Sequence, residues 1–338
     1  MAGQDGGRRS GSNPSTHQPV LTFVRATRAY PARVATLGLG LAAVGRPGYL
    51  NLGHGQDLGA DRSVAALRAR AHAVLDAALE GGVRHFDAAR SYGRGEEFLG
   101  EWLRSREPED VVVSSKWGYV YTAGWEVAAD PPEVKHHDVE TLRRQLGETR
   151  ELLGDRLDVY AIHSATPDSG VLENAAVLEE LARLRESGVR VGLSVSGTGQ
   201  SETVERALEL GGFDAVQATW NLHERSVEPA LAAAAEAGLT VYVKEALANG
   251  RLAGRAPAAE LTAAAGDLGV TPDALALAAV LARPWADVVL SGAATVETLR
   301  SNLAAADVEW TEDLDARLES LRENPDAYWE RRSALPWN

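Results

Sequence analysis

VAALRARAHAVLDAALEGGVRHFDAARSYGRGEEFLGEWL, residues 64–103, carries one repeat of the pattern that runs through the chain. Its first half, 64–82, has apolar residues at three- and four-residue spacing and ends in Gly81-Gly82, which reads as a helix with its stop signal. A short apolar run at 83–87 follows and ends in Asp87, which reads as a strand. The same order recurs. β-Branched runs fall at 111–116, 157–163, 189–195, 214–220, 239–245 and 286–291, with Ala/Leu/Arg/Glu stretches such as DVETLRRQLGETRELLG (138–154) between them. Gly154, Gly188 and Gly238 again stand between a helical stretch and a strand.

With Leu37–Ala43 as the first strand there are eight, each followed by a helix. Nearly continuous apolar strands suit burial on both faces, and helical crossovers suit parallel pairing. Eight such units over about 270 residues match a (β/α)8 TIM barrel in a single domain, whose usual length is about 250. A doubly wound open sheet is the competing fold, but no GxGxxG opens a helix after the first strand. The expected organisation is a disordered N-terminal tail over 1–30, a barrel over 31–310, and a C-terminal helix and tail over 311–338.

Composition narrows the function classes. The 338 residues hold no cysteine, so neither a disulfide framework nor a thiolate metal site is available, which fits a cytoplasmic protein. A formal charge of −14 argues against nucleic acid or an anionic membrane as partner. No apolar stretch approaches the ~20 residues of a membrane span. The first twenty residues have no apolar core and so do not read as a secretory signal.

Three strand ends carry the chemistry. HFDAARSYGRGEEFLGEWL (85–103) presents Asp87 with Tyr92 five residues on, VVVSSKWG delivers Lys116 and LDVYAIHS delivers His163. Barrel active sites lie at the C-terminal ends of strands, where Asp87, Lys116 and His163 fall, with Tyr92 in the loop just after one. The set resembles that of the aldo-keto reductases, which implies a carbonyl accepting hydride; such a carbonyl builds negative charge on its oxygen and needs a proton donor in reach. A tyrosine is a poor acid near neutrality unless a cation lowers its pKa. Lys116 is expected to supply that cation, Asp87 to hold Lys116 charged and aimed, and His163 to orient the substrate oxygen.

This constellation resembles the aldo-keto reductases, and the resemblance covers about Pro31 to Ala305. It implies that Tyr92 is the general acid of carbonyl reduction and that the cofactor is NADP or NAD, without a metal. In GLSVSG (192–197), Ser194 matches the serine that holds the cofactor carboxamide, while Val195 stands where an asparagine is common; Ser196 could substitute. Gln217 matches the glutamine that grips the same amide, followed by Asn221. At Lys244 the family often has a tyrosine that stacks on the nicotinamide, so lysine is a departure. The loop from Glu245 through Ala246, Leu247 and Gly250 to Leu252 resembles the pyrophosphate clasp, with Arg251 either on the phosphates or on the surface.

In VVLSGAATVETLRSNLAA (288–305), Gly292, Thr298 and Asn302 match the adenosine contacts at a helix N-terminus. Members that use NADP often carry lysine and arginine at the positions of Gly292 and Thr298. Both are absent here, and Arg300 should point to another face of the helix, which shifts the expectation towards NAD.

The substrate is expected to be a small carbonyl compound or alcohol, with a pocket wall from Tyr49, Trp117 and Tyr119. The aromatic tail 327–338 could cover the barrel mouth, pack on the barrel side or make a dimer contact; the oligomeric state is left open. His136, His137, His223 and Glu224 form no metal set and read as solvent or cap residues. Two other functions stay open: an NAD-dependent aldose or alcohol dehydrogenase working oxidatively, and a cofactor-binding regulatory subunit with vestigial catalysis.

Overall fold

In a computed structural model, residues 1–3, 35–127, 129–253 and 257–338 are described, so the expected tail over 1–30 lies, from residue 4 on, outside the described residues. Contacts divide the chain into Met1–Ala32 and Arg33–Asn338, and everything below belongs to the second unit. Among the described residues ten strands are numbered in chain order. Eight close a parallel barrel: β1 (Thr36–Gly40), β2 (His85–Asp87), β3 (Val112–Trp117), β6 (Val159–Ala165), β7 (Arg190–Val195), β8 (Ala215–Thr219), β9 (Thr240–Lys244) and β10 (Val288–Ser291). The ring closes where Leu37 of β1 lies opposite Val289 of β10. The remaining two, β4 (Tyr119–Tyr121) and β5 (Glu133–Lys135), form an antiparallel hairpin in the loop after β3. Among the described residues no single helix is long and apolar enough to cross a membrane.

The helices form where the pattern put them, and their ends have local causes. Ser63 caps helix Val64–Glu80 by accepting a bond from the Ala66 amide at 3.2 Å. That helix buries Leu67, Ala71, Val74, Leu75 and Ala78, one stripe at helical spacing, against the barrel wall. Asp138 caps Val139–Leu153 and Thr295 caps Val296–Leu303 in the same way. Two features shape the C-terminal face. The β6–β7 ladder shifts register between Ile162 and Ala165, with Ser164 at a positive φ of 55°, a bulge that re-aims the side chains beside it. The tail after helix Pro325–Ser333 runs to the loop after β1, where Asn338 and Tyr49 exchange two backbone hydrogen bonds at 3.2 Å.

Candidate active site

The C-terminal strand ends line a cleft of about 570 Å³. Asp87, the last residue of β2, is buried at its floor; Ser114 Oγ donates to its Oδ1 at 2.7 Å and Gln217 Nε2 at 3.3 Å. Lys116, next to last in β3, is 1 % exposed and places Nζ 2.5 Å from Asp87 Oδ2, 2.8 Å from the Ala88 carbonyl and 3.3 Å from the Tyr92 hydroxyl. Tyr92 is held by a turn in which its amide donates to Ala89 O at 3.0 Å and the Gly95 amide donates to Tyr92 O at 2.9 Å. Gly45 lets the loop after β1 lie against that turn. A Cβ there would collide with the Tyr92 carbonyl oxygen and sit 2.8 Å from Gly95 Cα.

His163 meets the edges of Tyr92 and Tyr119, with ring centroids 5.5 and 5.0 Å away, and its Nδ1 is 3.4 Å from Ser91 Oγ. Burial holds its imidazole well below the ordinary range, and Lys116, Arg46 and Lys244 push the same way. It is a neutral ring at neutral pH. The Tyr92 phenol moves opposite to the expectation. Burial and then Asp87 push it well above 10, and Arg46 is the cation that opposes them. The Lys116 ammonium is committed to Asp87 and Ala88 O, so the ion pair presents little net charge to the phenol. Tyr92 therefore stands fully protonated, a donor rather than a preformed phenolate.

Beyond these four the cleft continues past β8 and β9 to β10. Gln217 and Ser196 line it; Ser194 does not, because its Oγ accepts the Ser164 amide at 2.8 Å in the barrel wall. Lys244 lines it with Nζ 2.8 Å from Thr219 Oγ1, and burial pushes its ammonium down to about 8. Burial also works against the Glu245 carboxylate, but Arg332 at 2.7 Å and Lys244 hold it down at about 2. From Glu245 the loop runs with positive φ at Glu245, Ala248, Asn249 and Gly250, and crosses to the loop after β1. There Leu52 N donates to Asn249 O at 2.9 Å and Asn249 Nδ2 to Leu50 O at 3.1 Å. Ala246, Leu247 and Gly250 line the cleft, whereas Leu252 is fully buried behind it in the outer core. At the far end are Gly292, Glu297, Thr298 and Asn302, the last fixed by Ser291 Oγ and Asp273, each at 2.7 Å.

Several sequence readings need correction. Trp117 is no pocket residue: it lies inside β3, fully buried, with its ring against His137. Tyr49 and Tyr119 do line the cleft. His137 is not a solvent residue, since its Nε2 donates to His163 O at 2.9 Å and burial lowers its pKa to about 4. His223 and Glu224 are buried as well, His223 against Leu321 O at 2.8 Å and Glu224 accepting from Ser226. Arg251 is spent on Glu323, and Arg300 is exposed away from the cleft. Arg46, Glu133, Arg332 and Trp337 line the cleft without having been foreseen. Arg46 is the most buried of them, and no local motif marks it, because its partners come from residues 91, 133 and 337.

Comparison with known proteins gives the family and the fold. A family model described as the aldo/keto reductase family matches residues 51–323. The uncharacterized oxidoreductase YqkF of Bacillus subtilis is 25% identical over 299 residues, covering 80% of this chain and 93% of its own. A D-threo-aldose 1-dehydrogenase from Pseudomonas is 27% identical over 206 residues, 55% of this chain and 62% of its own. Among solved structures, an aldo-keto reductase from Bacillus halodurans in its holo form superposes with a TM-score of 0.65 at 20% identity, over 84% of this chain and 91% of that one. One from Klebsiella pneumoniae in complex with NADPH gives 0.60 at 23% identity, over 84% and 90%.

Proposed function

The chain belongs to the aldo-keto reductase family, and from this premise we propose that it interconverts an aldehyde or ketone and the corresponding alcohol, with Tyr92 handling the proton. The observation that carries the reading is the Lys116 ammonium, 2.5 Å from Asp87 and 3.3 Å from the Tyr92 hydroxyl on the floor of the cleft. The cleft fits a nicotinamide dinucleotide: it is long, floored by polar groups at one end, and reaches a helix N-terminus with open space above Gly292 at the other. Gln217 and Ser196 are suited to the carboxamide, residues 245–250 to the pyrophosphate, and Thr298 and Asn302 to the adenosine. When bound, the nicotinamide is the source or sink of hydride.

The residues of the chain do the rest. The neutral His163 ring and the Tyr92 hydroxyl grip the substrate oxygen, and Tyr92 gives up its proton as charge develops there. Lys116 Nζ, 3.3 Å away, donates a hydrogen bond to the phenolate oxygen left behind, and Asp87 with Ser114 keeps Lys116 aimed. The same groups serve the reverse direction. The test is Tyr92→Phe: turnover of a small aldehyde is expected to fall by about 10²- to 10⁴-fold while NADH or NADPH binding, read by tryptophan fluorescence, stays within about twofold. Unchanged turnover sinks the reading.

A second reading, NAD-linked oxidation of an alcohol or aldose, draws on the charge at the adenosine end. Asp273 and Glu297 line it, and no described residue puts a cation there. A 2′-phosphate would meet carboxylates, whereas ribose hydroxyls would find acceptors. The aldose dehydrogenase from Pseudomonas lends this reading support.

A further inference from the structure

Arg46 is buried to within 3 % of complete and lines the cleft beside Tyr92, yet the proton relay does not use it. Both of its hydrogen bonds come from one nitrogen: Nη1 donates to Ser91 O and to Glu133 Oε2, each at 3.0 Å. Its Nε–H is buried with no hydrogen-bond partner among the described residues. The rings of Trp337, Tyr49 and Tyr92 surround the guanidinium, with centroids 4.4, 4.9 and 5.2 Å from its central carbon. Rings cover faces and leave the edge for an acceptor. A buried, charged donor without a partner is costly to keep, which points to an acceptor that arrives with a ligand.

We propose that Arg46 is the specificity-determining residue of this pocket, its Nε edge receiving a second, neutral oxygen that the substrate carries next to the reacting carbonyl. The preferred substrates are then α-hydroxy and α-oxo aldehydes and ketones. This rests on Tyr92 holding the reacting oxygen, because the guanidinium lies against the Tyr92 ring and so within reach of the α-substituent. Charge decides between a neutral oxygen and a carboxylate. Glu133 already neutralises Arg46, and Asp87 and Glu245 line the same cleft, each bound to its own cation. An incoming carboxylate meets these three others at short range, and the Arg46 charge it would need is already taken by Glu133.

The test is kcat/KM, corrected for the hydrated fraction, on matched pairs: glycolaldehyde against acetaldehyde, and methylglyoxal against propanal. The protein is expected to favour the oxygenated member by about 10- to 100-fold, the range of a charge-assisted hydrogen bond. In Arg46→Met that ratio is expected to collapse to within about threefold of unity. Should that variant fold poorly, Arg46→Lys retains a cation for Ser91 and Glu133 without an Nε edge, and the ratio is expected to collapse there too. Glu133→Gln keeps the edge and should keep the preference. Equal losses on both members in the Arg46 variants would make Arg46 a loop tie and overturn the proposal, as would pyruvate being preferred to methylglyoxal. A protein that turns over both members without preference overturns this inference alone. One that turns over neither overturns the proposed function with it.

Discussion

Lys244 stands where a stacking ring was expected, and its burial turns it into a titrating contact. Its ammonium is pushed down to about 8, so the charge is present below that pH and lost as pH rises through it. An anionic dinucleotide should therefore bind more weakly at pH 9 than at pH 7, by roughly tenfold or ~1.4 kcal/mol. Lys244→Met should flatten that dependence in a fluorescence titration; a dependence that persists would move the titrating group elsewhere. Lys116→Met makes a different kind of loss. It leaves the Asp87 carboxylate buried with only Ser114 and Gln217, and should cost about 3 kcal/mol in denaturant unfolding besides abolishing turnover. Asp87, Lys116 and His163 were legible because strand ends are legible and the barrel says what strand ends do. Trp117 was misread because an aromatic one residue past Lys116 looks like loop until the strand is seen to run through it. Arg46 was invisible because its hydrogen-bond partners, Ser91 and Glu133, lie far from it in sequence.

The strands supply reactive groups and the loops between them set distances. The loop after β1 is tied at several points, since Gly45 touches the Tyr92 turn, Arg46 binds Ser91, and Leu50 and Leu52 bond to Asn249. Gly45→Ala is expected to lower kcat by at least about tenfold while costing only ~1–3 kcal/mol of stability, because the clash falls on the Tyr92 carbonyl. Measured together, kcat and the denaturation midpoint check this, and a stability loss with kcat intact would count against it. The tail is a second such element. Trp337 covers the Arg46 guanidinium and Asn338 pairs with Tyr49, which sets the end of the tail beside the cleft. Trp337→Ala should raise KM several-fold with a smaller change in kcat. The helical stretches read at 64–82 and 138–154 match Val64–Glu80 and Val139–Leu153 closely, from apolar spacing and closing glycines; the path of the tail was not legible, because it depends on what two loops leave uncovered.

Over the whole barrel, charge is sorted along the cleft. The cations Arg46, Lys116, Lys244 and Arg332 gather at the proton-transfer end with their partners Asp87, Glu133 and Glu245, whereas Asp273 and Glu297 mark the other without a cation among the described residues that line it. NADH should bind more tightly than NADPH, by about tenfold or more, and Glu297→Arg should narrow the gap; equal affinities for the parent protein would refute the assignment. The fold itself was the most legible level, because eight alternating units constrain a chain far more than any single residue does. Its closure also has a bearing on synthesis. β1 is bordered by β2 on one side and β10 on the other, and Val288 leaves the ribosome roughly 250 residues after Thr36. At about 5–20 residues per second, the first strand waits tens of seconds with one bare edge. Asp87, Tyr92, Lys116 and His163 all emerge during that wait, without a ring to hold them. Ribosome-bound chains of increasing length should stay protease-sensitive until Ser291 has cleared the exit, then gain protection in one step. The nascent chain is thus at its greatest need of a chaperone when most of its chemistry has already been made.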